Sequence, residues 1–150
     1  MKFVYSIYIQ TTPEKLWEAL LQPAFTRQYW SGVHMESTFE AGADWRLMIP
    51  DGRVGDSGIV LEAERPRKLV VTWENQFIPE LKAEGISCCT FELVPEGDLV
   101  KLTILHEMEK DESKLIVAVS QGWPKILSSL KTLLETGKPL PGTSEWPKDI

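Results

Sequence analysis

The chain has only two cysteines, and they are neighbours, Cys88-Cys89. Adjacent residues on a strand point to opposite faces, so this pair is badly placed to form a bridge. Histidine is equally scarce, with only His34 and His106, and no CxxC spacing occurs. A metal site therefore has little support, and no cofactor is expected. No apolar run approaches the roughly 18–20 residues of a membrane span, so no membrane insertion is expected. Positive charge is outnumbered: 16 Lys and Arg stand against 22 Asp and Glu, a net charge of −6. That balance argues against nucleic acid or an anionic membrane as the main partner. The one dense basic cluster, Arg65-Pro66-Arg67-Lys68, reads as a solvated turn between two strand-like runs. GxSxG, Walker and Rossmann patterns are all missing. The N-terminal stretch MKFVYSIYIQTTPEK lacks an apolar segment followed by a small-residue cleavage site, and reads as a strand rather than a signal peptide. A cytoplasmic location is the resulting expectation.

What is present is an ordinary single-domain composition: 150 residues, 43% hydrophobic and 25% charged. Phe3, Tyr5, Ile7 and Ile9 alternate with Val4, Ser6, Tyr8 and Gln10, which is strand periodicity. In TTPEKLWEALLQP, Thr12 is suited to cap a helix and Pro13 to occupy its first position. Leu16, Trp17, Leu20 and Leu21 give that helix an apolar stripe, and Pro23 stops it. A second short helix is expected over 24–29. Strands follow near 33–40, 43–49, 56–64, 68–77, 86–95 and 98–108, joined by turn-forming residues at 41–43, 50–58, 64–67 and 95–98. The stretch 78–85 reads as a longer loop. Short links imply an antiparallel meander.

The last helical segment spans 113–136. Trp123, Ile126, Leu127, Leu130, Leu133 and Leu134 share one face, and Gly137 closes the helix. Pro124 has no N–H and clashes with the carbonyl of Ser120, so a kink or break is expected there. Such a bend swings 113–119 across the mouth of any cavity, with Trp123 at the elbow. The alternative is that Trp123 is simply the first core residue of a proline-initiated helix. The segment 1–137 is read as one domain, and 138–150 as a proline-rich tail, extended or loosely docked.

A sheet with one buried face needs an apolar cover, and only the final helix is long enough. Alternation assigns the inward residues: Met35, Ser37 and Phe39; Trp45, Leu47 and Ile49; Leu69, Val71, Trp73, Asn75 and Phe77; Cys89, Phe91 and Leu93; Val100, Leu102, Ile104, His106 and Met108. Large aromatics and methionines dominate this set, and its main polar members are Asn75 and His106. A mostly apolar concavity with one or two placed polar groups suits a small-molecule pocket, although each such residue taken alone also fits plain core. The candidate ligand-binding residues are Phe39, Trp45, Leu47, Trp73, Asn75, Phe91, His106, Met108, Trp123 and Leu127. Should there be catalysis, His106 is the candidate acid/base, with Asn75 orienting a carbonyl or hydroxyl. Glu107 cannot assist it, because neighbours on a strand face opposite ways. Cys89 reads as an inert core thiol.

Four stretches taken in order, TTPEKLWEALLQPAFTRQYW, GIVLEAERPRKLVVTW, CTFELVPEGDLVKLTILHE and GWPKILSSLKTLLETG, carry a family resemblance from about Phe3 to Gly137. The chain resembles the START/birch-pollen-allergen-like (SRPBCC) superfamily, in its branch of activator of heat-shock-protein ATPase homologues. The resemblance implies an α+β helix-grip fold: a seven-stranded antiparallel sheet wrapped around a long C-terminal helix, with two short helices between strands 1 and 2. It also implies a cavity between sheet and helix, which in relatives holds lipids, polyketides or other apolar metabolites. It transfers no catalytic constellation. Three functions follow as expectations: a binding module for a hydrophobic small molecule, a cyclase- or hydrolase-type enzyme using His106, and a protein-interaction domain whose partner is a chaperone or a second copy of the chain.

Overall fold

The computed structural model describes residues 1–150. The elements run β1 (Lys2–Ile9), α1 (Pro13–Leu21), α2 (Pro23–Tyr29), β2 (His34–Glu36), β3 (Asp44–Met48), β4 (Val54–Glu64), β5 (Lys68–Asn75), α3 (Pro79–Lys82), β6 (Ser87–Glu96), β7 (Leu99–Glu107) and α4 (Lys114–Thr136). All seven strands form one antiparallel sheet in the order β1-β7-β6-β5-β4-β3-β2. The sheet grips α4, as a helix-grip fold requires. No helix is long and apolar enough to cross a membrane.

Local chemistry explains the boundaries. Thr12 caps α1, its hydroxyl accepting from the Lys15 N–H at 3.3 Å, and Pro13 takes the first turn. Pro23 both ends α1 and opens α2, so the two helices meet at Gln22. Ser113 caps α4 by accepting from the Ile116 N–H at 3.1 Å. Gly137, at φ 87°, closes it in the left-handed conformation.

Three features differ from the sequence expectation. The strand expected over 33–40 is only His34–Glu36, because Ser37 Oγ accepts from the Phe39 N–H and Phe39 turns to φ 54°. The loop expected at 78–85 holds the short helix α3, started by Pro79. Most informative, α4 continues as helix through Pro124 instead of breaking. The proline removes one intrahelical hydrogen bond, but α4 buries Leu115 and Ile116 before it and Trp123, Leu127, Leu130 and Leu133 around and after it. A break would lift one of these halves off the core, so tertiary packing overrides the local cost of about 3 kcal/mol.

The centre of the core is a set of tryptophans. Trp73 stacks on Trp30 (centroids 6.3 Å apart), is tilted against Trp45 (4.7 Å) and meets Trp123 edge-on (5.8 Å), and Trp30 lies 5.2 Å from Trp123. These rings belong to a core cluster of 26 buried residues.

Candidate functional site

The tryptophan cluster leaves a cavity of about 250 Å³ at one end of the grip. Its back is Trp30, Trp73 and Trp123; Leu47, Asp56 and Asn75 reach it from β3, β4 and β5. Leu81 of α3 and, on α4, Leu115, Ala118, Val119, Gly122 and Ile126 complete the helical side of the lining. Phe77, Val119, Gly122 and Trp146 are half-buried around it. Thirteen of the 16 lining residues are hydrophobic, so the space suits an apolar body.

The wall of α4 is held by Glu84, in the turn after α3. Its carboxylate accepts from Ser113 Oγ (2.6 Å) and from the N–H groups of Lys114 (2.9 Å) and Leu115 (3.0 Å). Burial acts to raise its pKa, but these bonds at the helix N-terminus outweigh it and hold the carboxyl down at about 2. One side chain thus ties the turn after α3 to the start of α4.

The segment 138–150 is docked. Thr143 accepts from the Ser31 N–H through its carbonyl and shares a hydroxyl contact of 2.7 Å with Ser129. Ser144 Oγ donates to the Gln28 carbonyl. Trp146 then lies over its own chain, edge-on to Phe77 at 5.5 Å.

Of the residues expected at a pocket, Leu47, Trp73, Asn75 and Trp123 meet on the cavity wall. Trp45, Phe91, His106 and Leu127 are buried in the core behind it. Phe39, turned by its positive φ, packs half-buried against the core elsewhere. Met108 lies one residue beyond β7, where its sulfur sits 3.3 Å from Ser113 Oγ. None of these last six lines the cavity.

His106 is fully buried and both its ring nitrogens are engaged. Ser87 Oγ donates to the Trp73 carbonyl at 2.8 Å, so it accepts from His106 Nε2–H at 2.9 Å. Trp123 Nε1–H donates to His106 Nδ1 at 3.3 Å. This chain of donors fixes a neutral imidazole, and burial lowers its pKa to about 4. No nitrogen is left to move a substrate proton, so the ring's role here is to join β6, β7 and α4. Cys89 is likewise fully buried, and burial raises its thiol pKa, as an inert thiol requires.

Sequence reasoning missed Asp56. It pairs with Asn75 across β4 and β5, and Asn75 Nδ2 donates to its Oδ1 at 3.2 Å. Asn75 Oδ1 accepts from the Ile78 N–H at 2.8 Å, so both ends of that amide are used to orient the carboxyl and the mouth. Burial is the main influence on Asp56 and raises its pKa to about 6. The missed signal was alternation: Val60 is inward, so Gly58 and Asp56 share its face.

The matching family model is that of activator of Hsp90 ATPase homolog 1-like protein, over residues 10–135. The chain belongs to this family. Solved structures with the same fold include MLL2253 from Mesorhizobium loti, 24% identical, covering 90% of this chain and 97% of that one at a TM-score of 0.76. The Aha1 dimer from Colwellia psychrerythraea is 17% identical over 92% of this chain and 98% of that one, at 0.73. PFC0360w, an HSP90 activator from Plasmodium falciparum, is 21% identical over 93% and 98%, at 0.69. At these identities the likeness shows the shared fold. No curated protein matches the sequence.

Proposed function

We propose that this family member binds one small, mostly apolar molecule in the cavity between β3–β5 and α4. The observation that carries the reading is a cavity of about 250 Å³, mainly hydrophobic, with a single orienting polar corner at Asp56 and Asn75. An engineered apolar cavity of about 150 Å³ takes up benzene, so this one suits a body of one or two rings rather than a sterol or a two-chain lipid. A binding role is favoured over an acid/base enzyme using His106, because that ring is buried behind the cavity with both nitrogens bound. The test is thermal unfolding with a panel of one- and two-ring compounds. A ligand at about 100 times its Kd adds about 2.7 kcal/mol of stability, which raises Tm by several degrees. If no compound at millimolar concentration moves Tm, the proposal fails.

A second reading, a chaperone-cofactor role, draws on the HSP90 activator among the structural relatives. It predicts a complex with Hsp90 that pull-down with purified components detects, and it makes no use of the cavity. Substituting the cavity wall would leave such a complex intact.

A further inference from the structure

Asp56 is the only ionisable residue on the cavity wall. Its carboxyl receives one neutral side-chain donor, from Asn75 at 3.2 Å. It takes part in none of the protein's ion pairs. Across the sheet it faces Leu47 on β3 and Asn75 on β5. The cavity residues contributed by α3, α4 and the 138–150 segment include nothing titratable. A carboxylate in apolar surroundings without a cation is costly, and a partner cation offsets that cost. The rings around it point the same way. Trp30, Trp73, Trp123 and Trp146 all line this space, and indole faces attract ammonium groups more strongly than any other aromatic ring.

We propose that the ligand is a small amine, an apolar body of one or two rings bearing a protonated amino group that docks on Asp56 between the tryptophans. This rests on the binding function proposed above and names its ligand class. The ammonium donates to the carboxylate oxygens, while Asn75 holds the carboxyl in place. The apolar body lies against Leu47, Leu81, Leu115 and Ile126.

The test is calorimetric titration with benzylamine, 2-aminoindane and naphthalen-1-ylmethylamine, each beside its matching alcohol and carboxylic acid. At pH 8 at least one amine should bind about tenfold or more tighter than its alcohol, the return on a desolvated charge-assisted bond. The acids should bind worst. The amine advantage should shrink about tenfold at pH 5, where a carboxyl titrating near 6 is mostly protonated. In Asp56→Asn the preference for amine over alcohol should vanish. Should that variant fail to fold, NMR titration of the Asp56 carboxyl in the unaltered protein serves instead: amine, but not alcohol, should lower its pKa. If alcohol and amine bind equally, or the acids bind best, the amine proposal is overturned and the cavity function stands. If no member of the series binds, both are overturned.

Discussion

Replacing His106 with Gln gives the sharpest test of how the core behind the cavity is built. His106 is held neutral, with a pKa near 4 in the folded protein against 6.5 as its ordinary value. Between these values the unfolded chain binds a proton that the folded chain refuses. Stability contributed by this ring is therefore complete above about pH 6.5 and is lost as pH falls toward 4. At about 1.4 kcal/mol per pH unit, the loss amounts to about 3 kcal/mol. Asp56 works in the opposite sense. Its pKa is raised from 3.8 to about 6, so its contribution is complete below about 3.8 and is lost as pH rises through 6. The two nearly cancel in the unaltered protein, whose stability should vary little between pH 4.5 and 6 from these groups. His106→Gln removes one side of the balance while its amide still donates toward Ser87. Denaturant unfolding of both proteins at pH 7.5 and 4.5 reads the difference. The variant's deficit should shrink by about 2–3 kcal/mol on acidification. A deficit that is the same at both pH values would refute the neutral, fully bonded imidazole.

Other substitutions test separate parts of the structure. Trp123→Ala should cost about 3–5 kcal/mol, read by chemical denaturation, since it empties the centre of the aromatic cluster and leaves His106 Nδ1 without its donor. Glu84→Ala should cost about 1–2 kcal/mol through lost helix capping, and hydrogen exchange at Lys114 and Leu115 should accelerate. That carboxyl, held near 2, contributes stability that is complete above its ordinary value of 4.5 and is lost as pH falls toward 2. Gly58→Ala should destabilise by more than about 3 kcal/mol or prevent soluble expression, because an ideal Cβ there meets the Thr72 carbonyl oxygen at 1.9 Å.

The meander was legible because its strands alternate cleanly. Counting along β5, β6 and β7 put Trp73, Phe91 and His106 inward, and all three are buried. The position of α4 followed from the need to cover that face. The cavity's charged corner was hidden by composition. Asp56 lies within PDGRVGDSG, where three glycines and a proline signal turn, yet β4 begins at Val54 and carries Asp56 opposite Asn75. At Pro124 the helix is unbroken for the reverse reason: the local signal was correct, and packing on both sides of it was stronger. Met108 and Phe39 were counted inward by extending strands beyond their true ends, and alternation has no meaning once the chain leaves the sheet.

The protein carries its own reporters for the central claim. Trp30, Trp73, Trp123 and Trp146 line the cavity, whereas Trp17 and Trp45 do not. Two-dimensional ¹H–¹⁵N NMR resolves each indole N–H. Adding a ligand that raises Tm should shift the four cavity indoles and leave the Trp17 and Trp45 signals in place. Shifts centred on Trp17 or Trp45, or confined to amides on the outer face of the sheet, would contradict a binding site between the sheet and α4.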